Sequence, residues 1–189
     1  MAPRPPERFE LDGAVLRRHR LDDAKGIAEA VAASLDHLRP WMPWATEDTA
    51  TEAFQHQRLV EVVPHWETDV DYAYVLVPPD DTAVLACVGL HRRIGPGAIE
   101  IGYWVHTAHA GRGLATAAAG ALTAAALELD GIERVEIHCD EANARSAAVP
   151  ERLGYTLDRV EPDEITAPGE CGRSMVWVKT LEPGVARST

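Results

Sequence analysis

Glu100, Gly111, Gly113, Asn143 and Ser146 are the residues whose types and spacing could do chemistry in this sequence. Glu100 lies in AIEIGYWV, residues 98–105, where Ile99, Ile101, Tyr103 and Val105 fall on one face of a strand and Glu100, Gly102 and Trp104 on the other. A carboxylate and a glycine on one face suit a strand that lines a cleft. The run Gly111, Arg112, Gly113, Leu114, Ala115, Thr116 then opens an alanine-rich helix. A tight glycine turn at a helix N-terminus aims unpaired N–H groups outward, and the helix dipole adds positive potential, so such a turn can hold an anion. A glycine-rich turn that binds nothing is the plainer alternative. Ser146 lies one helical turn after Asn143, so both project from one side of a short helix. The plainer readings there are an N-cap for Asn143 and a satisfied helix serine for Ser146.

The order EIGYW, then AGRGLAT, then after one more strand NARSAAVPERLGY (Asn143 to Tyr155) resembles the GNAT acyltransferase superfamily. The segment HLRPWMPWA, His37 to Ala45, is similar to the RimJ/RimL branch of N-terminal acetyltransferases, and the resemblance runs from Phe9 to Lys179. It implies an α/β (α+β) fold with a mixed, mostly antiparallel sheet and flanking helices, splayed where a cofactor enters. It also implies an acetyl-CoA-dependent N-acetyltransferase that acts on a primary amine by direct attack, without a metal. The pyrophosphate of coenzyme A would lie on the amides of Gly111, Arg112, Gly113, Leu114, Ala115 and Thr116, with Val105 and Asn143 among the cofactor contacts. Ser146 would hydrogen-bond the sulfur. Trp41, Met42, Trp44 and Tyr103 would shape the acceptor pocket, although a proline-stiffened loop with two tryptophans could equally plug the sheet. Glu100 would be the general base, acting through a water, with desolvation raising its pKa; pairing with a neighbouring arginine is the alternative. One departure stands out: Ala110 occupies the position, three before the second glycine, where the superfamily usually has Gln or Arg.

Other readings of the same residues are weaker. A nicotinamide-type fingerprint needs a third small residue, where Thr116 stands, and an acid after the next strand, where Asp140 is available; that is half a match. GxxxxGK[ST] and GxSxG are absent. His106 and His109 form HxxH on a turn, with no further ligands evident. A non-catalytic acyl-CoA sensor or partner-binding module on the same fold remains the alternative to an enzyme. A formal charge of −12 opposes nucleic-acid binding and is compatible with a cationic amine. No run of about 18 apolar residues is present, as a membrane span would need, and MAPRPPERFE lacks the apolar core of a secretory signal. A cytoplasmic protein is expected, and a homodimer is compatible with the sequence. Cys87, Cys139 and Cys171 are odd in number and widely spaced, which points to reduced thiols.

The elements that must position these residues follow from pattern. One domain is expected over 9–180, with tails at 1–8 and 181–189. Phe9 to His19 reads as strand around a turn at Asp12 and Gly13, followed by a helix from Asp22 or Asp23 to Ser34. Pro40 and Pro43 place Trp41, Met42 and Trp44 on a loop. A second helix is expected from a Thr46 or Asp48 cap to Trp66, then strands at 72–77 and 83–91, forming a meander with the Glu100 strand. A helix over 116–129 should cross to a parallel strand at 134–139. Asn143 caps a short helix closed by Gly154, and strands at 155–160 and 173–180 finish the sheet. Pro150, four residues after Ser146, should kink or end that helix.

Overall fold

The computed structural model describes residues 4–181. An eight-stranded sheet organises it, in the order β1-β2-β3-β4-β5-β6-β8-β7. The strands are β1 Arg8–Leu11, β2 Ala14–Arg18, β3 Asp71–Val77, β4 Ala86–His91, β5 Ala98–Val105, β6 Arg134–Asp140, β7 Thr156–Pro162 and β8 Arg173–Thr180. Every neighbouring pair is antiparallel except β5 with β6. Among the described residues four α-helices flank the sheet: α1 Ala24–Leu38, α2 Glu52–Val62, α3 Leu114–Leu127 and α4 Ala144–Arg152. None is long and apolar enough to cross a membrane among the described residues. The expected mixed, mostly antiparallel sheet with flanking helices is what the chain forms.

The two faces are filled differently. On one, Leu16, Tyr72, Tyr74, Leu76, Leu90, Ile99, Ile101, Val135 and Ile137 pack with Ala118, Ala119 and Leu122 of α3. Alanines let that helix approach the sheet closely. On the other, Val15, Val75, Val77 and Cys87 pack with Ile27, Val31 and Leu35 of α1 and Leu59 of α2. This second cluster reaches only the β2–β4 half of the sheet together with the far end of β5, so the polar stretch beside it is left as a cleft floor.

The parallel contact that carries the site is short. β5 and β6 pair only through Ala98, Ile99 and Glu100 against Arg134, Val135 and Glu136. Beyond Glu136, β6 continues on β8 as far as Asp140, while β5 continues on β4 as far as Val105. From Ile101 onward the two strands therefore part, and the β5 edge facing the gap has no strand partner.

Several boundaries differ from expectation for identifiable reasons. Strand Phe9 to His19 is a hairpin, β1 with β2, closed by Gly13 at φ 68°. Helix α1 runs past Ser34 to Leu38, because Leu35 and Leu38 bury with Ile27 and Val31. Thr46 and Thr49 bond to each other's backbone in a separate turn, so Thr51 becomes the cap of α2 by accepting the Phe54 N–H. Pro64 turns the end of that helix into a 3-10 segment over Val63–Trp66. Helix α3 begins at Leu114 and ends at Leu127, two residues ahead of the expected span at each end. The tails expected at 1–8 and 181–189 lie partly outside the described residues. Within them, β1 already starts at Arg8, and Arg4 pairs with Asp69 and Glu67.

Candidate active site

The turn after β5 presents the arrangement that anion binding requires. Gly111 and Gly113 adopt φ 76° and 78°, a conformation that only glycine takes without strain, and a Cβ at either would meet nothing within 4 Å. The first amide of this stretch to find a backbone acceptor is that of Ala117, 2.9 Å from the Gly113 carbonyl. The amides of residues 111–116 have no backbone acceptor among the described residues. A concave, unshielded set of donors at a helix N-terminus fits a diphosphate. Arg112 is exposed and its guanidinium lies 3.0 Å from His109 Nδ1. His106 caps the turn by accepting the Ala108 N–H through Nδ1.

A cavity of about 630 Å³ opens on the cleft face. It gathers Trp41, Met42, Trp44, Glu100, Tyr103, Asn143 and Ser146 from among the sequence-expected residues. Val105 and the turn 111–116 do not line it: Val105 packs half-buried on the α3 core, and the turn forms a separate ledge. Of the aromatic loop, Met42 packs on the α1–α2 cluster, while Trp44 tilts against Trp104 with ring centroids 6.1 Å apart. The loop between β7 and β8 meets the aromatic loop, its Gly169 N–H donating to the Pro40 carbonyl at 2.8 Å. A Cβ at Gly169 would come within 2.6 Å of that carbonyl oxygen, so the contact requires glycine.

Asn143 caps α4 through Oδ1, which accepts the Ser146 N–H at 3.1 Å. Pro150 does not end the helix, which continues to Arg152 with the proline inside it. Having no N–H, Pro150 leaves the Ser146 carbonyl without its helical donor, and the Tyr103 hydroxyl supplies one at 3.0 Å. The same hydroxyl lies 3.1 Å from Ser146 Oγ. Burial raises the Tyr103 pKa against the opposing bond to Ser146, so the phenol keeps its proton. Tyr103→Phe is expected to cost about 1–3 kcal/mol, the penalty of an unpaired buried carbonyl. In Pro150→Ala the restored helical N–H should remove most of that cost. A double-mutant cycle in urea checks it, and additive costs would refute the link.

Glu100 is not the free carboxylate that the sequence suggested. It is 8% exposed and bound by both arms of Arg93, Oε2 to Nε and Oε1 to Nη2, each at 2.7 Å. Burial pushes its pKa up, but the Arg93 hydrogen bonds and charge outweigh it, so the net shift is downward. The expected rise is thus corrected: an ion pair, not desolvation, sets this group. Glu136 behaves alike, its pKa raised by burial but lowered overall by His138 and Arg134. Reading the sequence overlooked Arg93, Asp71 and His91. Asp71, His91, Glu100 and Glu136 form one cross-strand row on the cleft face.

The acetyltransferase (GNAT) domain family matches residues 14–156 of this chain. The chain belongs to the GNAT acetyltransferase family. Among curated relatives, the Bacillus subtilis (strain 168) protein YdaF, named as a candidate ribosomal N-acetyltransferase, is 29% identical over 140 residues, spanning 70% of this chain and 72% of the relative. The ribosomal-protein-S5-alanine acetyltransferase from Vibrio fischeri superposes with a TM-score of 0.84 at 20% identity, covering 95% of this chain and 99% of that one. Mycobacterium smegmatis RimJ in complex with CoA-disulfide superposes at 0.80 with 19% identity, covering 92% and 85%. This GNAT chain is accordingly an N-acetyltransferase by family, and its β5–β6 pairing ends at Glu100.

Proposed function

We propose that this GNAT enzyme transfers an acetyl group to the α-amino group of a protein or peptide N-terminus. The observation that carries the reading is the cavity of about 630 Å³, whose lining includes Trp41 and Trp44 together with Asp163 and Glu164. It is open enough for the end of a polypeptide and acidic enough to favour its ammonium. Similarity to proteins named as a ribosomal N-acetyltransferase and a ribosomal-protein-S5-alanine acetyltransferase supports a protein acceptor.

Roles follow from placement. The amides of residues 111–116, with Arg112 beside them, hold the pyrophosphate of acetyl-CoA. Acetyl-CoA when bound supplies the activated thioester. Asn143 fixes the first turn of α4, and Ser146 Oγ, oriented by Tyr103, provides a hydrogen bond at the mouth of the gap. Trp41, Met42, Trp44 and Tyr103 shape the acceptor side. Glu100 holds Arg93 across the cleft floor. An α-amine, with pKa about 7.7–8.0, is partly neutral near pH 7.5, whereas a lysine amine near 10.4 is almost wholly protonated. The test is thiol release from acetyl-CoA with peptides of free N-terminus, N-blocked lysine peptides, polyamines and amino acids. Turnover confined to free N-termini is the expected result; turnover with polyamines or lysine alone would overturn it.

A further inference from the structure

With Glu100 engaged by Arg93, the cleft floor offers another proton acceptor in His91. His91 lies between Asp71 of β3 and Glu100 of β5 in the cross-strand row. Its Nδ1 is 3.2 Å from Asp71 Oδ1, and its ring folds back along the sheet instead of rising from it. A Cβ built on Gly89 would come within 2.8 Å of His91 Nε2, and one on Gly102 within 3.3 Å. These two glycines are direct cross-strand partners, so they clear a depression that the imidazole fills. Gly102 is also the second residue of β5 beyond the last pair with β6, where the strands have begun to part. The imidazole edge bearing Nε2 thus lies at the root of the splay, on the wall of the same cavity as Ser146 and Tyr103.

We propose that His91, oriented by Asp71, is the general base that takes the proton from the acceptor amine. This rests on the acetyl-transfer reading above. A carboxylate 3.2 Å from Nδ1 favours the tautomer with the proton there and the lone pair on Nε2, the nitrogen that lies over Gly89 and Gly102 of the cavity lining. Nε2 takes one proton from the ammonium, and the released lone pair forms the C–N bond at the thioester carbonyl as the C–S bond breaks. The surplus proton on the new amide nitrogen passes to the departing thiolate, and the imidazolium returns its own to solvent. The charged and titratable groups around His91 are Asp71, His65 beside it with Nδ1 3.8 Å from Asp71 Oδ2, Arg93, Glu100 and His138. Arg58 and His19 line the cavity farther along.

The first readout needs no turnover. In protein labelled with ¹⁵N-histidine, the resonance lost in His91→Ala should report a neutral ring protonated at Nδ1, and Asp71→Asn should abolish that preference; an Nε2-protonated ring would overturn the assignment. In kinetics, His91→Ala should lower kcat about 100-fold at pH 7 and flatten the acid limb of its pH profile, with the acetyl-CoA dissociation constant unchanged. Added imidazole should restore part of the rate, which no purely structural role would allow. Glu100→Gln should keep the acid limb. An unchanged limb in His91→Ala, or a loss that imidazole cannot rescue, would overturn the base while leaving the acetyl-transfer reading standing. A wild-type protein that binds acetyl-CoA but acetylates no amine would overturn both.

Discussion

Gly113→Val is expected to weaken acetyl-CoA binding by at least about 100-fold, equivalent to ~2.7 kcal/mol, while leaving a folded protein. Two independent effects coincide at this residue. The backbone, at φ 78° and ψ 3°, would have to carry a β-branched side chain in the left-handed region, which costs about 1–2 kcal/mol. The new atoms would also occupy the open space over the amides of residues 111–116, into which a Cβ projects without meeting anything within 4 Å. Each hydrogen bond to a charged phosphate contributes about 1.5–3 kcal/mol, so displacing two of them accounts for the loss. Gly13→Val separates the effects. Gly13 has φ 68° and equally open surroundings, but it closes the β1–β2 hairpin far along the sheet order from the splay. Both variants should lose similar stability in urea, and calorimetry should show only Gly113→Val losing the coenzyme. Equal affinity in the two would mean that the ledge does not hold the diphosphate.

The ledge was legible in sequence because its causes are local. Glycines at 111 and 113, followed by alanines, leave the chain little alternative to a left-handed turn feeding a helix, and Asn143 three residues before Ser146 prescribes its own cap. The meander and the parallel crossover follow equally from strand spacing and a helix-length connection. What local reasoning could not supply is register. The pairing of Glu100 with His91 is fixed by the turn through Gly95, Pro96 and Gly97, and that turn brings Arg93 onto the Glu100 carboxylate. Alternation alone identifies Glu100 as cleft-facing but not what it faces. Pro150 shows the complementary limit. The helix rule correctly identifies the orphaned Ser146 carbonyl, yet whether a helix survives depends on a donor 43 residues away, the Tyr103 hydroxyl. The row Asp71–His91 had a faint signal, a histidine two residues after Gly89 on an alternating strand. Only the sheet order makes the two neighbours.

The other large effect concerns stability against pH, and its source is His19. This ring is 3% exposed, and neither nitrogen has a hydrogen-bond partner among the described residues. Burial, reinforced by the nearby Arg58 guanidinium and Arg17, and opposed by Asp23 and by the Tyr74 backbone, lowers its pKa from 6.5 to about 4. Asp23 offers little relief, since both its oxygens are taken by Arg17, at 2.7 and 3.0 Å. Between the two pKa values the unfolded chain binds a proton that the folded one refuses. Stability therefore falls as pH drops from 6.5 towards 4, by about 3 kcal/mol in all, and is flat with respect to this group above that window. Below it, Glu100, Glu136 and Asp71 take over: their lowered pKa values give stability that is lost as they protonate in stronger acid. His19→Leu isolates the first window. It removes the titrating ring and two unpaired buried nitrogens together, so at pH 7 the variant should be at least as stable as the parent, and between pH 6.5 and 4.5 its urea midpoint should hardly move. Parallel pH curves for the two proteins would show that His19 is protonated in the fold, with Asp23 outweighing Arg58 and burial.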